Sequence, residues 1–240
     1  GTREGRAATR RLGVIYILFT VGFILFALII GALEQRFDLP ANISGWALMI
    51  IMIMMYAVIG VANRTSNLDE YFVAGRRIPA FFNGMAIGAD WMSAASFISL
   101  AGRLWLLGYE GLAYIMGWTG GYVLLALLLA PYLRKFGQYT IPDFVATRYE
   151  GHRPRVVAAV IGVIISFTYL TAQVTGIGII MSRFLGVNYL AGVAIGLSAV
   201  LFCSYLGGMR AITWTQVAQC IVLLIAYLTP VTLLSARSTG

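Results

Sequence analysis

The sequence has 240 residues, of which 60% are hydrophobic and only 11% are charged, and its mean hydropathy is +0.86. A soluble globular domain carries about 25% charged residues, so the composition excludes that class and indicates an integral membrane protein. The net charge is +8, which in a soluble protein would suggest nucleic-acid binding. Here the arginines fall in short segments between apolar runs, as the positive-inside rule requires, and no nucleic-acid partner is expected.

Seven apolar runs follow one another along the chain. Each is close to the length of about 20 residues that a helix needs to cross a bilayer. We predict membrane-spanning helices at 12–33, 43–62, 81–108, 112–133, 156–181, 189–206 and 211–234. The first run is longer than a signal-peptide core and ends at charged residues, which favours a retained helix. The predicted organisation is a basic cytoplasmic tail at 1–11, two N-terminal helices within 12–62, and the rest of the bundle at 63–240.

The loops between these runs predict an orientation. The arginine-rich loops are expected in the cytoplasm together with the N-terminus, and the others outside. The cytoplasmic loops would be 63–79, 134–155 and 207–210, and the external ones 34–42, 109–111 and 183–188. In the loop at 134–155, Thr140 followed by Pro142 and Asp143 is typical of a helix start. A short surface helix is therefore predicted from about Pro142 to Arg148.

The third run has an unusual centre, since the stretch from Gly84 to Ser99 holds one carboxylate, three serines and two glycines. Irregular backbone at membrane depth is tolerated only where it is packed in protein or lines a cavity, and an ionisable side chain there suggests function. We interpret the stretch as the unwound centre of a discontinuous helix that binds an ion and a substrate. The carbonyls that end the first half suit a cation, whereas the N–H groups that start the second half, near Ser93, suit an anion.

Three polar residues of this stretch have two interpretations each. Ser93 and Ser96 lie three apart and therefore on one helix face, where they either contact a substrate or allow close helix packing. Asp90 either adds negative charge near the ion or holds the break through hydrogen bonds. In the functional interpretation, the two serines and Asp90 are each part of a substrate or ion site.

Further candidates lie on neighbouring spans. Gln173 stands in a polar stripe of the fifth span and either faces a pocket or forms hydrogen bonds between helices. Trp118 either covers the substrate from the fourth span or packs at the membrane interface. Arg103 either attracts an anionic substrate or pairs with Glu110, and we favour the pairing. The other members of the stripe around Gln173 are Ser166, Thr168, Thr171 and Thr175.

Five blocks of sequence, in order and at consistent spacing, resemble the sodium:solute symporter family, in particular its bacterial acetate-permease-like members. The resemblance runs from about residue 43 to the end and leaves the first span outside the shared part. The blocks are 67–76, 83–97, 137–149, 169–173 and 207–219.

The resemblance implies an all-α membrane fold of about seven transmembrane helices. Residues 63–240 would form the first five-helix unit of an inverted-repeat, leucine-transporter-like fold, preceded by two extra helices. The second repeat is absent from this sequence, which would then be the N-terminal half of a longer protein. The missing half would be a partner of this one.

The resemblance also implies a function and an ion site. It predicts a sodium-coupled symporter of a small organic solute, such as the monocarboxylate acetate, in the bacterial inner membrane. Sodium would be the co-transported ion, held by the backbone carbonyls of Ala89 and Met92 and by hydroxyls of the missing half. Ser96 matches a substrate-contacting position, and its small side chain suits a small acid. The alternative is the membrane sensor domain of a signalling protein built on the same fold.

Overall fold

The computed structural model describes residues 3–37 and 40–239, and in these ranges the chain forms helices and no strands. Ten α-helices are joined by turns and by two wider π-helical segments, at Ala95–Leu100 and Leu125–Leu129. The α-helices are α1 (Arg3–Phe37), α2 (Ala41–Ala62), α3 (Leu68–Val73), α4 (Ala80–Trp91), α5 (Ala101–Leu107), α6 (Leu112–Leu124), α7 (Ala130–Phe136), α8 (Ile141–Arg148), α9 (His152–Leu185) and α10 (Tyr189–Thr239).

Six of the seven predicted spans lie within helical segments, the third is interrupted at residues 92 and 93, and the all-α membrane class is confirmed. Among the described residues, five helical stretches are long and apolar enough to cross a bilayer: 10–37, 43–62, 96–136, 152–185 and 204–238. Tyr189–Phe202 is a shorter apolar helix. The first half of the third span, α4, has only 12 residues. The count of seven spans therefore stays a prediction.

The N-terminal tail differs from the expectation, because α1 begins at Arg3 and takes in most of the predicted tail. With 35 residues, α1 is about 50 Å long. Residues 1 and 2 of the tail, and residues 38 and 39 of the loop predicted at 34–42, lie outside the described residues.

The predicted surface helix is confirmed as α8, which begins one residue earlier than expected. The Thr140 hydroxyl oxygen accepts a hydrogen bond from the backbone N–H of Asp143 at 3.2 Å, so it satisfies one of the donors left free at a helix start. The Asp143 carboxylate also pairs with Arg155 at 2.7 Å. These contacts fix the start of α8 against the start of α9.

The π-helical segment at Leu125–Leu129 has a local cause. Pro131 follows it after one residue, at the start of α7, and a proline has no N–H to donate to the carbonyl four residues before it. The turn ahead of the proline widens, and α6 continues into α7 without a loop.

Contacts divide the chain into two compact units, one of residues 1–92 and 179–240 and the other of residues 93–178. The first unit has an apolar core in which α4 packs on α10, with buried Phe82 and Ala86 against Val217. Five partly buried side chains pack around these three: Leu12, Tyr16, Ile78, Met85 and Trp214. In the first unit, α4 is thus held by both α1 and α10.

A sharp kink in α10 lies at Gly208, where φ is 50° and ψ is −141°. This backbone conformation is open essentially only to glycine. A Cβ atom at Gly208 would lie 2.6 Å from the carbonyl oxygen of Tyr71, and one at Gly207 would lie 2.8 Å from that of Asn63. The two glycines therefore let the segment after α2 press its backbone against α10. The kink lies within the predicted turn at 207–210.

Glu70 connects the segment after α2 to α10 through hydrogen bonds. Its Oε2 atom accepts hydrogen bonds from the Thr65 hydroxyl at 2.7 Å and from Arg210 Nη1 at 2.5 Å. The hydrogen bond from Thr65, followed by that from Arg210 and by the positive charges of Arg210 and Arg77, lowers the pKa of the Glu70 carboxyl. The ionised form is therefore the one that the fold stabilises.

We expect Glu70→Gln to lower the melting temperature at neutral pH, because the amide loses the charge that pairs with Arg210. A carboxyl whose pKa is lowered by folding contributes stability above its unfolded pKa, and this contribution is lost as the pH falls through the folded value. The difference in melting temperature between the unaltered protein and the variant should therefore shrink as the pH is lowered to about 4. A difference that is independent of pH would contradict this role for the carboxylate.

Candidate functional site

The helix break predicted in the third span is present and lies at Met92 and Ser93. α4 ends at Trp91, and Met92 leaves the helical conformation with φ −75° and ψ 61° while its N–H still donates to the carbonyl of Gly88 at 3.1 Å. Helical hydrogen bonding starts again when the N–H of Phe97 donates to the carbonyl of Ser93 at 3.0 Å. The sequence prediction of a discontinuous helix is confirmed at this point.

The end of α4 carries the two positions proposed for ion ligands. Ala89 is buried, with 6% of its surface exposed, and its carbonyl is among the last four of α4, which have no intrahelical donor. The aligned peptide dipoles also place partial negative charge at this end of the helix. Such an end can ligate a small cation through oxygen. The ligand role of Ala89 and Met92 stays a prediction.

Asp90 has a partner that the sequence reasoning missed. Its Oδ1 atom accepts a hydrogen bond from Gln216 Nε2 of α10 at 3.2 Å. This contact agrees with the interpretation that Asp90 takes part in hydrogen bonding at the break, and the amide partner itself is neutral. Gln216 could have been found from its polarity, because Thr215 and Gln216 interrupt the apolar span at 211–234, and polar residues inside a span suggest function.

A cavity of about 470 Å³ adjoins Gln216 in the first unit, between α2 and α10. Its wall is mainly apolar, with a polar section formed by Ser204, Thr215, Gln216 and Gln219. The Thr215 hydroxyl donates to the carbonyl of Ala211 at 2.9 Å and the Ser204 hydroxyl to that of Leu201 at 3.3 Å, so both are bonded within α10, and the Gln216 amide already donates to Asp90.

The second unit contains the start of the other half-helix, where the structure brings two predicted residues together. The hydroxyl oxygens of Ser93 and Ser96 are 3.4 Å apart, and the backbone N–H of Ser96 faces the Ser93 hydroxyl at the same distance. Ser96 is buried, with 7% of its surface exposed. The following π-helical turns leave backbone groups less regularly paired than an α-helix, a feature that is frequent at functional sites.

Gln173 lies on α9, which passes close to the start of the second half-helix near Ser93. A Cβ atom at Gly176 would lie 2.8 Å from the Cβ of Ala94, so α9 approaches the half-helix closely at Gly176, another residue that the sequence reasoning missed. Gln173 is three residues away and shares that helix face. Its Nε2 atom is buried and has no hydrogen-bond partner among the described residues.

The three threonines of the polar stripe on α9 behave differently from Gln173. The hydroxyls of Thr168, Thr171 and Thr175 each donate to the carbonyl four residues earlier, at 2.9 Å. These threonines are satisfied within their own helix and need no partner on another one. The Gln173 amide nitrogen, by contrast, is buried and has no hydrogen-bond partner among the described residues.

Trp118 lies on α6 with 38% of its surface exposed, and its substrate role stays a prediction. Arg103 differs from the expectation that it pairs with Glu110. Its Nη1 atom donates to the Tyr114 hydroxyl at 2.9 Å, and its guanidinium lies 4.9 Å from the centre of the Tyr114 ring. An aromatic ring and its hydroxyl can satisfy a guanidinium where carboxylates are scarce.

Comparison with known proteins identifies the family. The model of the family described as "Sodium:solute symporter family" matches residues 71–237. The chain belongs to the sodium:solute symporter family. The match begins later than the resemblance described above, which starts at about residue 43, and it leaves α1 and α2 outside.

Two relatives of this family member have names that agree with the assignment. It is 53% identical over 232 residues to an uncharacterized symporter of Cupriavidus necator, an alignment that covers 94% of this chain and 34% of the relative. It is 33% identical over 185 residues to the uncharacterized symporter YwcA of Bacillus subtilis, with coverage of 76% and 36%. Nothing in these names supports the sensor alternative.

The chain therefore spans about a third of the length of the curated relatives it matches. No solved structure matches it. The comparisons show the family of the chain, and the relatives they match are named as symporters.

Proposed function

We propose that this chain is the N-terminal part of a sodium-coupled secondary active transporter that carries a small organic anion, such as the monocarboxylate acetate. The observation that carries the proposal is the interruption at Met92 and Ser93 of a helix within the segment that the family model matches. The transporter would lie in the bacterial inner membrane with its N-terminus in the cytoplasm, since the arginine-rich loops then face inward.

Sodium would bind at the end of α4. The carbonyl oxygens of Ala89 and Met92 provide hard, neutral ligands, and the helix end adds partial negative charge. Asp90 adds a full charge nearby, and its hydrogen bond from Gln216 restricts its position. Further oxygen ligands would come from the remaining two thirds of a protein as long as the relatives.

The substrate would bind at the start of the second half-helix. Free N–H groups and the positive end of the helix dipole favour a carboxylate there. Ser93 and Ser96 present hydroxyl donors, and the Gln173 amide is a buried donor without a described partner, for which a carboxylate oxygen is a suitable acceptor. Trp118 would cover the site from α6. The small serines leave room for a small acid.

Transport would follow from joint binding of ion and substrate, which favours closure and then opening to the inside. Moving one elementary charge through 100 mV provides about 2.3 kcal/mol. A single sodium ion is therefore enough to drive measurable accumulation of a solute.

The test is uptake by the full-length protein in reconstituted vesicles with an imposed sodium gradient. Labelled acetate and other small carboxylates are compared with sugars and amino acids, and potassium replaces sodium in the control. We expect carboxylate uptake that depends on inward sodium. Uptake that is indifferent to sodium, or preference for a sugar or an amino acid, would overturn the coupling or the substrate class, respectively.

Ser96→Ala and Ser93→Ala should each reduce carboxylate uptake at low substrate concentration by about tenfold or more. A lost hydrogen bond to a charged group costs about 1.5–3 kcal/mol, and the effect should appear mainly as a raised half-saturating substrate concentration. Ser99→Ala is the matched control, because Ser99 lies in the same π-helical segment but is exposed. If all three variants transport like the unaltered protein, the serines only pack the helix.

A further inference from the structure

The first helix, α1, lies outside the residues matched by the family model, yet two of its residues, Leu12 and Tyr16, pack against the core that holds α4. The alignment with the relative from C. necator includes at least part of the α1 sequence, because it covers 94% of this chain and α1 has 35 of the 240 residues.

Tyr16 makes the specific contacts of α1. Its hydroxyl donates a hydrogen bond to the backbone carbonyl of Trp214 at 3.1 Å. The centre of its ring lies 5.6 Å from that of Phe82 and 6.1 Å from that of Trp214, and the latter two rings are 5.6 Å apart. Three mutually contacting rings from α1, α4 and α10 form what we call the aromatic anchor: Tyr16, Phe82 and Trp214.

The aromatic anchor contacts α4 at its N-terminal end, and the helix break lies at its C-terminal end. Phe82 is in the first turn of α4 and is 97% buried, since only 3% of its surface is exposed. Ten residues separate it from Met92, which corresponds to about 15 Å along a helix. Because a short helix moves as a rigid rod, fixing its first turn limits the tilt that its last turn can adopt.

From this geometry we infer that Tyr16 is a positioning residue for the ion site, and that α1 is a brace which holds the first half of the broken helix in its ion-binding orientation. The inference rests on the sodium site proposed above. A brace of this kind raises affinity by reducing the freedom that the ligands must lose when the ion binds.

The physical basis is the combination of a polar and an apolar contact at one side chain. A phenol hydroxyl in the hydrocarbon layer needs an acceptor, and the Trp214 carbonyl supplies it only when α1 lies in this register. Leu18 is on the same helix and is 66% exposed, so that face of α1 makes no comparable contact. The brace thus depends on Tyr16 and not on apolar contact alone.

The test is sodium affinity of the purified full-length protein, measured by binding of radioactive sodium and by the sodium dependence of the melting temperature. We expect Tyr16→Ala to weaken sodium binding several-fold and Tyr16→Phe, which keeps the ring and loses the hydrogen bond, to weaken it less. Leu18→Ala, which alters the exposed face of α1, should bind sodium like the unaltered protein.

The outcomes separate this inference from the proposed function. If the unaltered protein binds no sodium, the proposed function fails, and the brace fails with it. If it binds sodium and Tyr16→Ala binds it equally well, even with a lowered melting temperature, Tyr16 is only structural and this inference alone is overturned. Tyr16→Phe keeps the test decisive where Tyr16→Ala does not fold.

A second measurement examines the docking itself. Photo-crosslinking from Tyr16→p-azidophenylalanine should give products with peptides containing Phe82 or Trp214. Crosslinks to lipid alone would show that α1 does not dock on α4 and α10, and would overturn the brace whatever the transport activity.

Discussion

Gly208→Ala is expected to lower stability by about 2–6 kcal/mol, the sum of a strained backbone and an overpacked contact. The backbone at Gly208 has φ 50° and ψ −141°, and the new methyl group would lie 2.6 Å from the carbonyl oxygen of Tyr71. Neither the carbonyl nor the helix that carries it can move without breaking the contact to α10. The measurement is the melting temperature of the purified protein and the amount of folded protein in the membrane.

Two other glycines separate the causes of that effect. Gly186 also has a positive φ, 66°, but its Cβ would meet nothing within 4 Å, so Gly186→Ala should show the strain without the clash. Gly22 is helical in α1 with open space around it, and Gly22→Ala should be neutral or stabilise by about 0.5–1 kcal/mol. An effect of Gly208→Ala no larger than that of Gly186→Ala would mean that the close approach of Tyr71 is unimportant.

Asp90→Asn is expected to raise the half-saturating sodium concentration about tenfold or more, equivalent to about 1.4 kcal/mol. The substitution preserves the size of the side chain and its hydrogen bonding with Gln216, and it removes the negative charge beside the helix end. Sodium dependence of uptake by the full-length transporter is the measurement. Substrate affinity at saturating sodium should change much less.

Gln216→Ala and Asp90→Glu are the matched controls for that prediction. Gln216→Ala keeps the charge and loses the 3.2 Å hydrogen bond, so its effect on sodium affinity should be smaller. Asp90→Glu should retain part of the sodium response. An Asp90→Asn transporter with an unaltered sodium response would place Asp90 outside the ion site and leave it a purely structural role at the break.

The helix break was predictable from sequence because its signal is chemical. A carboxylate, serines and glycines in the middle of an apolar run are costly at membrane depth, and the structure interrupts the helix between Trp91 and Ala95. The cap at Thr140 was predictable for a similar reason, since the side chain that satisfies the free N–H is adjacent in sequence. Both features are local.

The contacts that are remote in sequence could not be predicted in the same way. The pairing of Asp90 with Gln216 spans 126 residues, and no periodicity within either helix specifies it. Arg103 was expected to use Glu110 because opposite charges are close in sequence, yet it uses Tyr114. The contact of Tyr16 in α1 with the core was missed because the apolar residues of α1 resemble those of any lipid-facing helix.

The π-helical segment at Ala95–Leu100 also changes how neighbouring sequences should be compared. Each wide turn accommodates one residue more than an α-helical turn. Relative to a continuous α-helix, one extra residue rotates all later side chains by about 100° around the helix axis. A helical wheel drawn continuously from Ser93 therefore assigns Arg103 to the wrong side of its helix. A homologue that is one residue shorter between these two positions would keep both halves in the same register, so a single-residue gap there is a conservative change rather than an alignment error.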